Sequence, residues 1–397
     1  MIAAAIGLLW AAVATPVSAA AEAQPTAPVR NYHVESVRFR FTHYDQWGLG
    51  YQSAAGPVGQ PGSEGARIQQ PQAEIVTRIG ARITQRIWVP LDVVTAASPD
   101  HSRFGKPTTV GPDDAISSAS RSNVAGSLDS VTSYRWDRST EVFFRAAFHM
   151  EEPLQSWAVG TGISRALADG NALLVASLHQ VVDWFDRFDV LGQRHGRASR
   201  STTNANLTLT QLLSPSTIAL VSYGGTLQVG TLGNTWSSVL MADGTRGEER
   251  LPRRRQRHAL AVRLAQWLPW NGALKAGYRA YLDGWGTDAH TAEAELAQRF
   301  GSWFRVRGGY RWHWQSGVRY FTDAGLPAQT HLTADSDLAP LVAQTAGGGV
   351  LVDVPVPRWA GRVGGIREVH FDFGFDHYWR TNGLTAEITT CALALRF

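Results

Sequence analysis

Residues 303–315 read WFRVRGGYRWHWQ. Phe304, Val306, Gly308, Tyr310, Trp312 and Trp314 alternate with Arg305, Arg307, Gly309, Arg311, His313 and Gln315. Successive side chains of an extended chain point to opposite faces, so one face of this segment is aromatic and the other carries arginines. Arginines on one strand face need water or paired acids, and the aromatic face needs an apolar medium. This is the alternation of a strand that meets lipid outside and an aqueous lumen inside.

The pattern recurs outward from this segment. Val37, Phe39 and Phe41 alternate with Ser36, Arg38, Arg40 and Thr42, and Val142, Phe144, Ala146 and Phe148 with Glu141, Arg145 and His149. Near the end, Val369, Phe371, Phe373 and Phe375 alternate with His370, Asp372, Gly374 and Asp376. Strands are expected near 34–44, 72–84, 86–95, 127–136, 140–150, 155–165, 172–185, 202–212, 216–229, 256–267, 272–283, 287–298, 303–316, 347–355, 367–378 and 384–397, with one turn near Gln85. That predicts an all-β, transmembrane, antiparallel up-and-down barrel of about 16 strands, within a range of about 12–16. Leu174, Leu178, Val181 and Phe185 also fit helical spacing, as do Leu260, Leu264 and Trp267 and the run HTAEAELAQRF. The company these segments keep favours strand.

Connection lengths sort as such a barrel requires, with short periplasmic turns and long outer loops. The stretches 45–71, 96–126, 186–201, 230–255 and 317–346 are long and fall on one side, whereas 137–139, 166–171, 213–215, 268–271 and 299–302 are short. Trp136, Trp267, Trp270 and Trp303 flank the short turns, and Trp47, Trp184, Trp285 and Trp379 flank the outer loops, as interfacial aromatic girdles would.

Composition agrees. Charged residues are 18% of the 397, with 15 Trp and 39 Gly. The net charge of +4 rests on scattered arginines, since the only lysines are Lys106 and Lys275, so no nucleic-acid partner is expected. The single cysteine, Cys391, rules out an intrachain disulfide and paired-cysteine metal sites. Residues 2–15, IAAAIGLLWAAVAT, precede Pro16 and small residues, which reads as a signal peptide over 1–20 without a basic n-region. A short periplasmic segment over 21–33 and a single barrel over 34–397 would follow. After Glu22 no apolar run approaches the roughly 18 residues of a spanning helix.

The stretch 277–321, GYRAYLDGWGTDAHTAEAELAQRFGSWFRVRGGYRWHWQSGVRYF, resembles a family of Gram-negative outer-membrane β-barrel proteins known as a domain of unknown function. The similarity lies in the tyrosine-rich strand, the Asp283-x-Trp285-Gly286 turn, His290-Thr291 opening the next strand, and the later Tyr-Arg strand with its Gln and Tyr-Phe pair. DVVTAASP at 92–99 and NANLTLTQ at 204–211 are similar too, with departures at Thr95 and Ala96. A C-terminal strand with Leu393, Leu395 and Phe397 on one face resembles the insertion signal that the barrel assembly machinery reads. The resemblance implies an outer-membrane barrel and establishes no activity.

The lumen-facing charged candidates are Arg279, Glu293, Glu295, Arg305, Arg307, Arg311, Asp372 and Asp376. The arginines near Glu293 and Glu295 suggest cross-strand charge ladders, read either as a constriction that selects permeants or as mutual neutralisation in a closed barrel. Arg250, Arg253, Arg254, Arg255 and Arg257 would flank an outer loop, with lipopolysaccharide phosphates as a partner if they meet them. Asp113, Asp114, Asp335 and Asp337 lack the spacing of a calcium loop. No G-x-S-x-G nucleophile motif occurs, so no catalytic residue, metal or cofactor is expected. The expected role is a pore or transport barrel in the cell outer membrane. The alternatives are a closed barrel scaffolding a surface or periplasmic protein partner and, behind it, a membrane-embedded hydrolase.

Overall fold

The structure, a computed structural model, describes residues 32–48, 66–96, 123–152, 154–189, 193–233, 238–322, 325–354, 356 and 365–397. The expected signal peptide, most of the short segment after it, and Asp113 and Asp114 lie outside these residues.

The barrel strands are β1 (Tyr32–Trp47), β2 (Ala66–Ile79), β3 (Ile83–Ala96), β4 (Asn123–Arg135), β5 (Thr140–Glu151), β6 (Leu154–Leu167), β7 (Ala172–Phe188), β8 (Arg194–Ser214) and β9 (Thr217–Gly230). A short hairpin, β10 (Ser238–Leu240) with β11 (Arg246–Glu248), interrupts them. The barrel resumes with β12 (Arg254–Leu268), β13 (Gly272–Asp283), β14 (Asp288–Phe300), β15 (Phe304–Gln315), β16 (Leu341–Val354), β17 (Glu368–Arg380) and β18 (Thr385–Arg396). Each strand pairs antiparallel with its sequence neighbour in the wall, and β1 closes on β18 through Ser36 to Arg396 and Trp47 to Thr385. Closure leaves no unpaired sheet edge, which a bilayer would not tolerate.

All sixteen expected barrel strands are present, and the segments with helical spacing are strands. Three local expectations are corrected. The turn placed near Gln85 lies at residues 80–82, where Gly80 takes a φ of 61° that favours glycine. The stretch 186–201 is largely strand, and only 189–193 separate β7 from β8. The loop at 230–255 contains the unexpected hairpin β10–β11.

Side-chain parity follows the register. Phe144 (55% exposed), Phe371 (48%) and Phe373 (50%) stand on the outer face, as do Leu260, Val262 and Leu264 along β12. Leaving this many large apolar groups uncovered in water would oppose solubility, at roughly 25 cal/mol per Å² of apolar surface. As the outside of a closed barrel they form the surface a bilayer covers, and the chain is an outer-membrane β-barrel. Trp136 (66%) and Trp270 (60%) at one rim and Trp47 and Trp184 at the other complete the girdles. β1 begins and β18 ends at the rim of the short turns, which sets that rim on the periplasmic side.

Close packing among the described residues collects at the outer rim. Val239 and Leu332 (both 0% exposed) and Met241 join the β10–β11 hairpin to the loop between β15 and β16. Thr333 donates to Glu249, and Arg250 and Leu332 exchange backbone hydrogen bonds at 2.8 and 2.9 Å. The two loops thus form one small cap.

Candidate functional site: the lumen wall and its outer mouth

On β15, Arg305, Arg307 and Arg311 share the parity of His313, whose Nδ1 meets Thr291 Oγ1 at 2.9 Å on the inner face of β14. The same parity turns Glu293 and Glu295 inward on β14, Arg279 on β13, and Asp372 and Asp376 on β17. The sequence candidates therefore line one wall, built by five consecutive strands. Their partners differ from the expected ladder. Arg305 pairs with Asp353 on β16 at 3.3 Å and Arg307 with Asp372 at 3.2 Å. Glu293 takes Arg263 of β12 at 3.1 Å, and Glu295 takes Lys275 at 2.7 Å. Arg263, Lys275 and Asp353 had the right parity in the sequence, but only the register shows whom they meet.

These pairs are wet. Side-chain exposure is 45% for Arg305, 38% for Arg307 and 56% for Lys275. Half-exposed pairs of this kind each contribute roughly 0.2–1 kcal/mol, so their main effect is to set the polarity of the bore.

Inward glycines decide where these side chains lie. A Cβ at Gly349 would fall 2.8 Å from Arg307 Nε, and one at Gly277 would fall 2.8 Å from Glu293 Oε1. At Gly347 it would collide with Asp376, and at Gly160 with His179. Each glycine leaves room for a cross-strand polar side chain to lie against the wall. The GGG run at 347–349 is the signal that could have shown this from sequence.

The Asp283-Gly-Trp285-Gly286-Thr-Asp turn is a hydrogen-bonded knot at the outer mouth. One oxygen of Asp283 accepts from the backbone N–H of Trp285 at 2.9 Å and of Thr287 at 3.0 Å. The other accepts from Arg255 and, at 2.9 Å, from the Tyr281 hydroxyl. The Asp283 carboxylate is 0% exposed and Arg255 7%. Gly286, at φ 92°, leaves room for Arg319. Trp285 is not the interfacial tryptophan expected. It is 2% exposed, stacked under the Arg255 guanidinium at 4.2 Å and edge-on to Tyr320 at 6.3 Å. His290 points outward, where Nδ1 meets the Tyr278 hydroxyl at 2.6 Å and the ring stacks on Trp314. Of the arginine cluster, Arg253 and Arg254 are exposed at the rim while Arg255 and Arg257 turn inward.

The cap reaches into the mouth through residues 333–340. Gln315 donates to the carbonyls of Asp337 and Ala339 at 2.9 and 2.6 Å, and Arg380 binds Asp337 at 2.7 Å. Burial, reinforced by the negative charge of Asp337, pushes the Asp335 carboxyl up to about 7; the Asp337 N–H, Arg380 and Arg255 oppose this. A carboxyl raised above its unfolded value binds more protons in the folded loop, so loop stability is fullest at low pH and declines between about 4 and 7. Proteolysis of the cap is therefore expected to be faster at pH 8 than at pH 5.5, and Asp335→Asn should flatten that difference. A pH dependence unchanged in Asp335→Asn would contradict the assignment.

At the periplasmic end, Leu393 sits between Phe39 and Phe371, and Leu395 between Val37 and Val369, on the lipid face. The Phe397 N–H donates to the Glu35 carbonyl at 3.0 Å, so the last residue is tied to the first strand.

No curated protein matches the chain. Among solved structures it is similar to OpdK of Pseudomonas aeruginosa crystallised with vanillate, at 8% identity and a TM-score of 0.43, covering 91% of this chain and 98% of that one. It is also similar to a BenF-like porin from Pseudomonas fluorescens Pf-5, at 7% identity and a TM-score of 0.47, covering 93% and 100%. A third is the CymD monoaromatic hydrocarbon channel, at 10% identity and a TM-score of 0.39, covering 91% and 89%. The family described as "Protein of unknown function (DUF3570)" matches residues 176–388, which include the Asp-x-Trp-Gly knot and the arginine-bearing wall; the chain belongs to that family.

Proposed function

We propose that this barrel is a passive pore for small hydrophilic solutes. The observation that carries the reading is the wet inner wall of a closed sixteen-strand barrel, where charged side chains are half-exposed and inward glycines hold them flat. A bore of this strand number is wide enough to leave an aqueous channel. Lipid surrounds the outer face, Arg253 and Arg254 would meet lipopolysaccharide phosphates at the outer rim, and the terminal strand would be read by the assembly machinery.

One observation favours a second reading, a closed scaffolding barrel for a surface or periplasmic protein. The cap formed by the β10–β11 hairpin and residues 316–322 and 325–340 bonds to inward groups at the mouth. Swelling of vesicles that contain the refolded chain separates the two. Swelling that falls with increasing sugar size supports the pore, and no swelling by the smallest sugars contradicts it.

A further inference from the structure

Most inward arginines face a carboxylate. Arg145 has Asp129, Arg200 has Asp183, Arg255 has Asp283, and Arg305 and Arg307 have Asp353 and Asp372. Arg257, Arg279 and Arg311 do not: among the described residues none of them forms an ion pair. The reasons lie in the register. Asp283 lies directly across from Arg257 but is saturated by Arg255, Tyr281 and two backbone N–H groups. Glu293 lies directly across from Arg311, yet its carboxylate folds over Gly277 towards Arg263. One carboxylate thus serves Arg263 while Arg279 and Arg311 stand near enough to repel each other. Arg279 rests over the Tyr281 ring at 5.7 Å, and the Nε of Arg257 is buried without an acceptor.

Two neighbouring inward guanidinium groups without a carboxylate partner, as Arg279 and Arg311 are, are complementary to a solute with oxyanion groups. We propose that Arg279 and Arg311, on β13 and β15, form an oxyanion-binding array that holds small carboxylate or phosphate solutes in the lumen. The array rests on the reading of an accessible lumen and gives it a substrate class. Tyr281 lies under Arg279, and Glu293 limits the array by neutralising Arg263.

The test is calorimetric titration of the refolded barrel in detergent micelles with succinate and, separately, with inorganic phosphate. The wild-type chain should bind at least one of them. Arg279→Gln/Arg311→Gln should weaken that binding by tenfold or more, and the Lys pair, which keeps charge but loses the fork, should weaken it less. Glu293→Gln should tighten it, which no merely structural role of the arginines predicts. Arg86→Gln, on the facing wall beside Glu74, should leave it unchanged. Succinate alone binding would assign carboxylates and phosphate alone would assign phosphates. Binding of neither, or equal loss in Arg86→Gln and the double variant, would overturn the array. Channel activity without binding would leave the pore reading standing and refute the array, whereas binding without channel activity would do the reverse. All variants are checked for heat-modifiable mobility, and if the double variant does not fold, the Glu293→Gln comparison decides.

Discussion

Replacing Phe373 by arginine should sharply reduce the yield of folded barrel in bilayers. Phe373 stands at the middle of β17 on the lipid face, 50% exposed, opposite Val350 and Cys391. An arginine at the midplane of a barrel's outer face costs about 2–4 kcal/mol. The comparison is Arg307→Gln on β15, at nearly the same height of the wall but facing the lumen, since Arg307 and Gly374 both lie across from Gly349. That change removes one half-exposed ion pair and should cost less than about 1 kcal/mol. Urea titration of both variants in vesicles, read by heat-modifiable mobility, measures the difference. Equal losses would mean that the assignment of outer and inner faces is wrong.

Asp283→Ala should destabilise the outer mouth by about 3 kcal/mol. The carboxylate serves as acceptor for Arg255, Tyr281, Trp285 and Thr287, and removing it leaves a buried guanidinium without its counter-charge. Breaking a buried pair from one side is far more damaging than losing a surface one, at roughly 3–5 kcal/mol. Because Arg255 stacks on Trp285, the loss should also appear as a change in tryptophan fluorescence, and the cap over it should become a protease target. Asp283→Asn, which can still accept from the two N–H groups, should lose less. Wild-type stability in Asp283→Ala would show that the knot does not hold the mouth.

The strands were legible because lipid imposes a strict two-residue period. Wherever one face meets a bilayer, as from Phe304 to Trp314, alternation in the sequence is the structure. The signal stops where the bilayer stops. The outer ends of β7 and β8, across 186–201, face water on both sides, so polar residues there look like loop although they pair as far as Phe188 and Arg194. Trp285 shows the same limit from the other side. An aromatic beside an outer turn reads alike whether it meets lipid or lies under an incoming loop, and the burying contact, Tyr320, comes from a distant segment.

For the site, parity revealed which charges face inward but not which ones meet. Glu293 was expected among Arg279, Arg305, Arg307 and Arg311, and it takes Arg263 instead because Gly277 opens a path in that direction. Partner choice depends on register and on gaps left by glycine, and neither is a property of one strand's sequence. For the same reason the unpaired arginines could be seen only after the strands were in place.

Single-channel recording of the refolded chain in planar bilayers under a salt gradient tests the pore most directly. The account predicts stable conductance steps with a reversal potential on the anion-selective side, reduced in Arg279→Gln/Arg311→Gln. Heat-modifiable insertion without any conductance would contradict it and leave a barrel closed by its outer cap.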